Sequence, residues 1–444
     1  MVTLKQLQKY NIPGPRYTSY PPATHFTQSP TIQTAPTGAL SLYFHLPFCT
    51  HQCLYCGCTN VITNDRSQSK RYLDYLEKEM QMRTAYISSP SPVLQIQWGG
   101  GSPSFLQNQE IEQLGAQIKQ HFHIDKNVEF GVELDPRNIT QSKIAALKKA
   151  GCNRVSLGIQ DTNKTVQKAI ARIQPLEQVA KTTTWLRESG IQSLNFDLIY
   201  GLPHQTPQTF SKTIDEILYL NPDRLAVYSY AHIPWIKPFQ KPLENKLPST
   251  KTKLQLLQIA IEKITTAGYI YIGMDHFAKP KDPLAIALKE RSLQRNFQGY
   301  STLKGLDLHG FGMSSISHIK TQYFQNKKEL SNYYADLDAD QLPLLRGYNM
   351  TPEDQIRYQI IMHIMCNIFI NYHQLSTELN IDFPTQFKNE IASLDDLEQE
   401  GLLERNPDGI HVTSLGRLFV RIIAMRFDPH QKKPPQKRRY SNVV

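Results

Sequence analysis

The sequence of 444 residues lacks any long apolar run. A membrane-spanning helix needs about 20 mainly apolar residues, and the best candidate, 356–372, is interrupted by Arg357, His363 and Asn367. No apolar stretch follows the lysines near the start, so we predict no secretory signal. We therefore expect a cytoplasmic protein without membrane insertion, in which thiols stay reduced.

The chain also has little excess charge outside its last residues. The net charge is +10, and half of that excess comes from a short tail containing Lys432, Lys433, Lys437, Arg438 and Arg439. A basic segment with prolines is typical of a solvated tail. We therefore expect no nucleic-acid binding.

Cysteine is scarce, but four of the six cysteines, Cys49, Cys53, Cys56 and Cys58, fall in the stretch CTHQCLYCGC. A disulfide framework does not suit a reducing compartment. Structural zinc usually takes two well-separated ligand pairs, and no second pair follows. A redox C-x-C pair would leave Cys49 and Cys53 unexplained. The spacing C-x3-C-x2-C supplies three thiolates for an iron–sulfur cluster, which would leave one iron of a four-iron cluster open.

Short β-branched or aromatic runs alternate with amphipathic helical stretches between residues 41 and 230. This alternation predicts βα units with a parallel sheet, either open and doubly wound or closed into a partial barrel. In both architectures chemistry collects at the carboxyl ends of the strands. The predicted strands are 41–46, 94–98, 128–134, 154–160, 193–200 and 224–230.

Tyr55, directly before the third cysteine, completes the C-x3-C-x-aromatic-C signature of radical S-adenosylmethionine (SAM) enzymes. Further stretches extend the likeness over nearly the whole chain, which resembles the bacterial oxygen-independent coproporphyrinogen III oxidase family. The matching stretches are GPRYTSYP (14–21), LYFHLPFC (42–49), CGC (56–58), QWGGGSPSF (97–105), ELDPR (133–137), NFDLIYGLP (195–203), GMDHFA (273–278) and RNFQGY (295–300).

The resemblance implies an α/β fold, a six-stranded partial (βα)6 barrel of radical SAM type. We expect an N-terminal arm at 1–37, a catalytic domain at 38–335 and a C-terminal domain at 336–444. The last of these is expected to be mostly helical and winged-helix-like, with the basic tail at its end. The residue pattern of this region predicts helices over 351–372 and 384–400. We also expect the arm, with Arg16, to fold over the strand ends and help close the site.

The resemblance further implies anaerobic oxidative decarboxylation of the ring A and B propionates of coproporphyrinogen III. The product would be protoporphyrinogen IX, a precursor of haem. The implied cofactors are a [4Fe–4S] cluster and SAM, two SAM molecules per chain, and we expect a monomer reduced by a flavodoxin or ferredoxin. The alternative is a radical-SAM-like haem-binding chaperone. Such paralogues generally lack the fourth cysteine and the GPRYTSYP arm, both of which are present here.

Individual roles follow from the same resemblance. The implied cluster ligands are Cys49, Cys53 and Cys56. The first SAM is assigned to Tyr43, Gly100, Glu133 and Ile316. The second SAM is assigned to Tyr55, Gly101, Ser102, Gln160, Arg172, Asp197 and Ala231. The candidate catalytic residues are Tyr43, His45, Glu133, Phe297, Gln298 and Cys58, of which Cys58 is not expected to bind iron.

Several of these residues also have a purely structural interpretation. Gly99 to Gly101 could form only a tight turn, and the charged residues at the strand ends could form ordinary salt bridges. Tyr55 could serve in packing alone. An extended strand would place His45 on the same face as Tyr43, where a histidine is often a satisfied core residue.

Overall fold

The computed structural model describes residues 3–27, 32, 38–87, 91–431 and 442. These residues form two compact units. The larger unit is built from described residues within 27–267 and 305–349 and contains the cysteine loop. The smaller unit combines described residues within 1–26, 268–304 and 350–444. The predicted division at 37/38 and 335/336 stays a prediction.

The strands are numbered along the chain. They are β1 Leu40–Leu46, β2 Phe48–Cys49, β3 Val61–Ile62, β4 Val93–Gly100, β5 Ile124–Leu134, β6 Arg154–Gln160, β7 Ser193–Tyr200, β8 Arg224–Ser229, β9 Ile270–Gly273, β10 His276–Ala278, β11 Gln294–Asn296, β12 Gly299–Ser301, β13 Asp307–Phe311, β14 Ile316–Ile319, β15 Gln322–Asn326, β16 Leu344–Asn349, β17 Phe369–Asn371, β18 Leu403–Asn406 and β19 Gly409–Val412.

The α-helices are numbered in the same way. They are α1 Leu4–Lys9, α2 Ser67–Thr84, α3 Asn108–His121, α4 Gln141–Ala150, α5 Lys164–Ala169, α6 Leu176–Glu188, α7 Pro207–Tyr219, α8 Thr250–Thr266, α9 Pro283–Lys289, α10 Leu330–Asp338, α11 Pro352–Met362, α12 Tyr372–Leu379, α13 Phe383–Gln386, α14 Lys388–Ala392, α15 Asp395–Gln399 and α16 Val420–Met425.

The larger unit is organised by a mixed sheet with the strand order β16-β15-β14-β13-β1-β4-β5-β6-β7-β8. Neighbouring strands from β13 through β8 in this order are parallel. The strands from β13 to β16 are antiparallel. The parallel part carries the carboxyl ends of β1 and β4–β8 along one edge, as the sequence predicted.

The local sequence explains why these elements form. All six predicted strands are present; two have the predicted bounds, and the bounds of the other four differ by one to four residues. Helix α7 begins with a capping box between Thr206 and Thr209 and has Pro207 at its first turn, which satisfies otherwise unpaired amides. Helix α4 ends at Gly151 in the left-handed conformation, which glycine adopts without strain.

The smaller unit departs from the sequence prediction near residue 363. A single helix was expected over 351–372, but α11 ends at Met362, a π-helical turn follows, and Ile368 takes a left-handed conformation with φ 51°. The chain then enters β17, which pairs with β19 beside β18 in a three-stranded sheet. Pairing with β19 satisfies the backbone of 369–371 in place of a helix.

The N-terminal residues are held within the smaller unit. The Arg16 guanidinium forms an ion pair with Asp275. Arg421 donates to the carbonyl oxygens of Gly14 and Pro15, and the Tyr17 hydroxyl donates to Asp428 at 2.9 Å. The basic tail lies outside the described residues except for Asn442. Among the helices of the described residues, none combines the length and apolarity needed to cross a membrane.

A buried ion pair joins α2 to the turn between β13 and β14 in the larger unit. Glu79 is fully buried and accepts from the Gly312 amide at 2.7 Å and the Tyr333 hydroxyl at 2.8 Å. Arg83 pairs with Glu79 at 3.4 Å and donates to the Gly310 carbonyl at 3.0 Å. Because all of these partners donate hydrogen bonds to it, the cost of removing the Glu79 carboxylate from water is offset within the protein.

Replacing Glu79 by Ala should lower the free energy of unfolding by about 3–5 kcal/mol, since it leaves the buried Arg83 charge without its carboxylate. Urea unfolding of the purified protein measures this change. The control is Glu112→Ala, which breaks a solvent-exposed pair with Lys149 and should cost about 1 kcal/mol or less. Equal costs for the two variants would contradict the prediction.

Candidate active site

The cysteine loop follows β1 and is held at several points by backbone hydrogen bonds. The Val61 amide donates to the Pro47 carbonyl at 2.9 Å, and the Thr63 amide donates to the Cys49 carbonyl at 3.0 Å. The Leu54 amide donates to the Ile170 carbonyl at 3.0 Å. The loop is therefore tied to its own strand and to the segment that follows α5.

The glycines at the end of β4 allow close approach to the neighbouring strands. A Cβ on Gly101 would lie 2.2 Å from the Pro47 carbonyl oxygen, and one on Gly99 would lie 2.8 Å from the Glu133 carboxylate. Gly100 has φ +109° and a Cβ there would meet the His45 ring at 2.5 Å. The glycine run is therefore required by packing as well as by turn conformation.

A cavity of about 340 Å³ opens at the carboxyl ends of the parallel strands. Its volume falls within the range of small-molecule sites. It brings together most of the predicted site residues, which are Cys49, Cys53, Tyr55, Cys56, Cys58, Gly100, Gly101, Ser102, Glu133, Gln160, Arg172, Asp197 and Ala231.

The thiols of the loop differ in their surroundings. Burial raises the pKa of Cys49 to about 12. A hydrogen bond with Cys58 lowers the pKa of Cys56 to about 6, so that Cys56 favours the thiolate. The Asn60 amide donates to the Cys56 sulfur at 3.9 Å. Cys58 is the most exposed of the four.

Two carboxylates face the cavity from neighbouring parts of the sheet. Glu133 is accessible from the cavity, but the surrounding protein limits its hydration and raises its pKa to about 7, with repulsion from Asp197 adding to the shift. Burial likewise raises the pKa of Asp197 to about 6. The Ser156 hydroxyl donates to Asp197 at 2.7 Å, and the Asn195 amide donates to it at 2.8 Å.

On another side of the cavity two guanidinium groups surround Cys53. Arg172 Nη1 lies 3.6 Å from the Cys53 sulfur, and Arg137 Nη2 lies 3.8 Å from it. Both arginines also pair with Asp135, at 3.0 Å and 2.6 Å respectively. Burial alone would raise the pKa of Asp135, but the two arginines outweigh it and hold that pKa below its usual value.

Tyr43 and His45 lie beside the cavity on one face of β1, as predicted. The Tyr43 hydroxyl is 3.1 Å from His45 Nδ1, and His45 Nε2 is 2.8 Å from the Thr59 carbonyl oxygen. Burial lowers the pKa of His45 to about 4, so the ring is neutral at pH 7. Because a carbonyl only accepts, Nε2 carries the proton and Nδ1 accepts from Tyr43.

The remaining predicted residues occupy other positions. Ile316 begins β14, and its carbonyl oxygen would lie 2.6 Å from a Cβ on Gly310, the residue that pairs with Tyr43. The Tyr55 side chain packs against a hydrophobic cluster that includes Val166 and Ile170 while also lining the cavity. Phe297 and Gln298 lie in the smaller unit, in the turn between β11 and β12.

The sequence interpretation assigned no role to several cavity residues whose side chains contact the predicted ones. Among them are Asp135, Arg137, Ser156 and Asn60. Asp135 and Arg137 stand in ELDPR at the end of β5, so the strand-end position was a usable signal for both. Ser156 lies mid-strand, and nothing in its sequence context marks it as a partner of Asp197.

Comparison with known proteins finds matches over most of the chain. The model of the Radical SAM superfamily matches residues 43–217, and that of the HemN C-terminal domain matches residues 350–419. Oxygen-independent coproporphyrinogen III oxidase of Synechocystis sp. is 40% identical, covering 99% of this chain and 97% of the relative. The Escherichia coli protein of that name is also 40% identical, covering 99% and 98%.

A solved structure agrees over the same length. Coproporphyrinogen III oxidase (HemN) from Escherichia coli, described as a radical SAM enzyme, superposes with a TM-score of 0.91 and covers 94% of this chain and 97% of its own. The fold and the cysteine loop thus define a radical SAM enzyme. More narrowly, the chain belongs to the family of oxygen-independent coproporphyrinogen III oxidases.

Membership of the radical SAM superfamily implies a [4Fe–4S] cluster and SAM, and the residues present fit this pair. Four thiols of one loop line the cavity, three of them in the cluster-binding spacing, together with carboxylates and a guanidinium that suit the charged groups of SAM. Within the described ranges, no three His, Cys, Asp or Glu side chains converge on one metal ion. A four-iron cluster needs no such convergence, because each thiolate binds a different iron.

A buried carboxylate behind Gln160 fixes the loops after β6 and β7. Asp161 is fully buried and accepts from Gln205 Nε2 at 2.6 Å, the Asn163 amide at 2.6 Å and the Thr213 hydroxyl at 3.1 Å. Burial nevertheless raises its pKa to about 6. Gln160 itself has φ 68°, a conformation that a rigid neighbour helps to maintain.

The raised pKa of Asp161 gives a pH-dependent contribution to stability. The folded state binds the proton more tightly, so this stabilisation is complete below pH 4 and is lost as the pH rises through 6. The free energy of unfolding of Asp161→Asn should not show this decline. Between pH 3.5 and 7 the free energy of unfolding of the wild type should therefore fall by about 3 kcal/mol more than that of the variant.

Urea unfolding of the cluster-free protein at several pH values measures the difference. Asp215→Asn, which changes an exposed carboxylate in the same unit, is the control and should follow the wild type. Parallel curves for the wild type and Asp161→Asn would show that Asp161 titrates alike in both states.

Proposed function

We propose that this chain converts the ring A and B propionates of coproporphyrinogen III into vinyl groups under anaerobic conditions, giving protoporphyrinogen IX for haem synthesis. The observation that carries the proposal is the cavity shared by Cys49, Cys53, Cys56, Glu133 and Arg172. Full-length likeness to enzymes of this name supports the choice of substrate. Each propionate loses one hydrogen atom, carbon dioxide and one further electron.

When bound, the cluster would supply the electron for cleavage of SAM, and the resulting 5′-deoxyadenosyl radical would remove hydrogen from the substrate. Cys49, Cys53 and Cys56 would hold the cluster as thiolates, whose protons are lost on iron binding. The backbone at Gly100 and Gly101 lets a ligand approach closely. We further propose two SAM molecules per chain.

The charged residues of the cavity suit the polar groups of SAM. Glu133 and Asp197 accept hydrogen bonds from ribose hydroxyls or an ammonium group, and Arg172 binds a carboxylate. A cation arriving near Glu133 would favour its ionised form, because opposite charge lowers a carboxyl pKa. These groups therefore orient SAM and hold its charges apart.

The other site residues are proposed in the roles that the sequence assigned to them. Tyr43 and Ile316 contact the first SAM, and the neutral His45 ring accepts a hydrogen bond from the Tyr43 hydroxyl. His45, Phe297, Gln298 and Cys58 are the further candidate catalytic residues. The remaining contacts to the second SAM come from Tyr55, Gly101, Ser102, Gln160 and Ala231.

Several wider features belong to the same proposal. The parallel strands are proposed to curve into a six-stranded partial barrel, within a catalytic domain at 38–335 between the arm and the C-terminal domain. A flavodoxin or ferredoxin is the proposed electron donor, and the working form is a cytoplasmic monomer that binds neither nucleic acid nor membrane. The sequence alone supports these features.

Anaerobically reconstituted protein, given coproporphyrinogen III, SAM and a reductant, should form protoporphyrinogen IX with release of carbon dioxide. The reaction should also yield 5′-deoxyadenosine in proportion to the vinyl groups formed. Product analysis by chromatography measures all three. Tight haem binding with no vinyl product under these conditions would instead indicate the chaperone.

The four clustered cysteines should separate into two classes. Cys49→Ser, Cys53→Ser and Cys56→Ser should each lose the cluster, whereas Cys58→Ser should retain about four irons per chain. Iron and sulfide analysis after reconstitution measures this, and Cys152→Ser at a buried thiol elsewhere serves as the control. Loss of the cluster in Cys58→Ser would contradict the three-ligand assignment.

A further inference from the structure

Two arginines, Arg137 and Arg172, lie beside Cys53, although binding a cluster requires only the three thiols. Arg137 and Arg172 reach the Cys53 sulfur with one nitrogen each, at 3.8 Å and 3.6 Å. Both also bind Asp135, whose carboxylate lies between them. Two guanidinium groups and one carboxylate leave one net positive charge beside this sulfur.

These guanidinium groups are held rigidly. Arg137 lies in the 3₁₀ turn Pro136–Asn138, with its amide and its Nε both donating to Asp135 Oδ1 at 3.0 Å. Gln178 donates to the Arg137 carbonyl at 3.0 Å. Arg172 Nη2 donates to the Gly158 carbonyl at 2.8 Å. The cations are therefore fixed in position before any ligand binds.

Burial strengthens the effect of this charge. The side chains of Arg172, Asp135 and Arg137 are only 7%, 10% and 20% exposed. Charges in such surroundings are weakly screened by water and salt. The reduction potential of an iron–sulfur cluster depends on its net charge, its solvent exposure and hydrogen bonds to its sulfurs.

We propose that Arg137, held by Asp135 and acting together with Arg172, sets the reduction potential of the cluster through the Cys53 sulfur. This inference rests on the proposed function, because it requires a cluster bound by Cys53. One-electron reduction adds negative charge to the cluster, and a nearby cation stabilises the reduced form. Arg137 is thus a positioning and tuning residue that need not touch SAM or the substrate.

The test uses the reconstituted full-length protein and its Arg137→Gln variant, titrated anaerobically at controlled potentials and followed by electron paramagnetic resonance. Iron content should match the wild type. At the potential where the wild type is half reduced, the ratio of reduced to oxidised cluster should fall about tenfold, because a buried positive charge is lost. Arg137→Lys keeps the charge and should recover part of the ratio.

Arg154→Gln is the matched control. Arg154 also pairs with a carboxylate of β5, Glu129, in the same sheet, but it stands at the start of β6, at the edge opposite the cysteine loop. The cluster of this variant should have the same ratio of reduced to oxidised form as the wild type at each potential. An equal shift in Arg154→Gln would show a general charge effect and overturn the proposal.

Other outcomes decide between the alternatives. An unchanged potential in Arg137→Gln combined with weaker SAM binding would make Arg137 a SAM ligand and overturn tuning. Loss of iron from both Arg137 variants would make it a structural support for the loop. Failure of the wild type to form any cluster would contradict the proposed function, whereas a normal wild-type cluster with no shift in the variant contradicts only this inference.

Discussion

Parallel pairing of consecutive strands is the constraint on which the site depends. Because β1 and β4 to β8 run in one direction in neighbouring order, the segments that follow them meet at a single edge. That edge collects a thiol loop, a glycine run, two carboxylates and a guanidinium from distant parts of the chain. Without parallel order these groups would lie at opposite ends of the sheet.

The cavity is electrostatically asymmetric. Arg137 and Arg172 concentrate positive charge around Cys53, while the raised pKa values of Glu133 and Asp197 show carboxyl groups that ionise reluctantly. SAM carries a carboxylate, an ammonium and a sulfonium, so a cavity divided into cationic and acidic regions can orient it. The ionised forms of Glu133 and Asp197 are stabilised most when a cation binds beside them, because its charge offsets their poor hydration.

The sequence predicted the parts of this arrangement that have a local signal. Six strands were found from β-branched runs, and the cysteine loop from its spacing. The extension through β13 to β16 was missed because its strands are only four to six residues long, and β13 and β15 are buried throughout and so show no alternation. The grouping of the described residues within 1–26, 268–304 and 350–444 into one unit was beyond prediction, because it depends on packing between distant segments. Likewise the position of Asp135 directly after a predicted strand is visible in the sequence, but its bridge between Arg137 and Arg172 depends on tertiary structure.

Two buried carboxylates hold in place loops and turns that adjoin the site. Glu79 accepts from the turn between β13 and β14 that adjoins Tyr43 and His45, and Asp161 accepts from the loops after β6 and β7. Burying a carboxylate is costly, and an apolar replacement of similar size is often as stable. We infer that both carboxylates hold nearby backbone in place at some cost in stability. Each accepts a hydrogen bond from a backbone amide that an apolar side chain would leave unpaired. Radical chemistry gives such fixed geometry particular value, because a reactive intermediate attacks whatever group lies nearest.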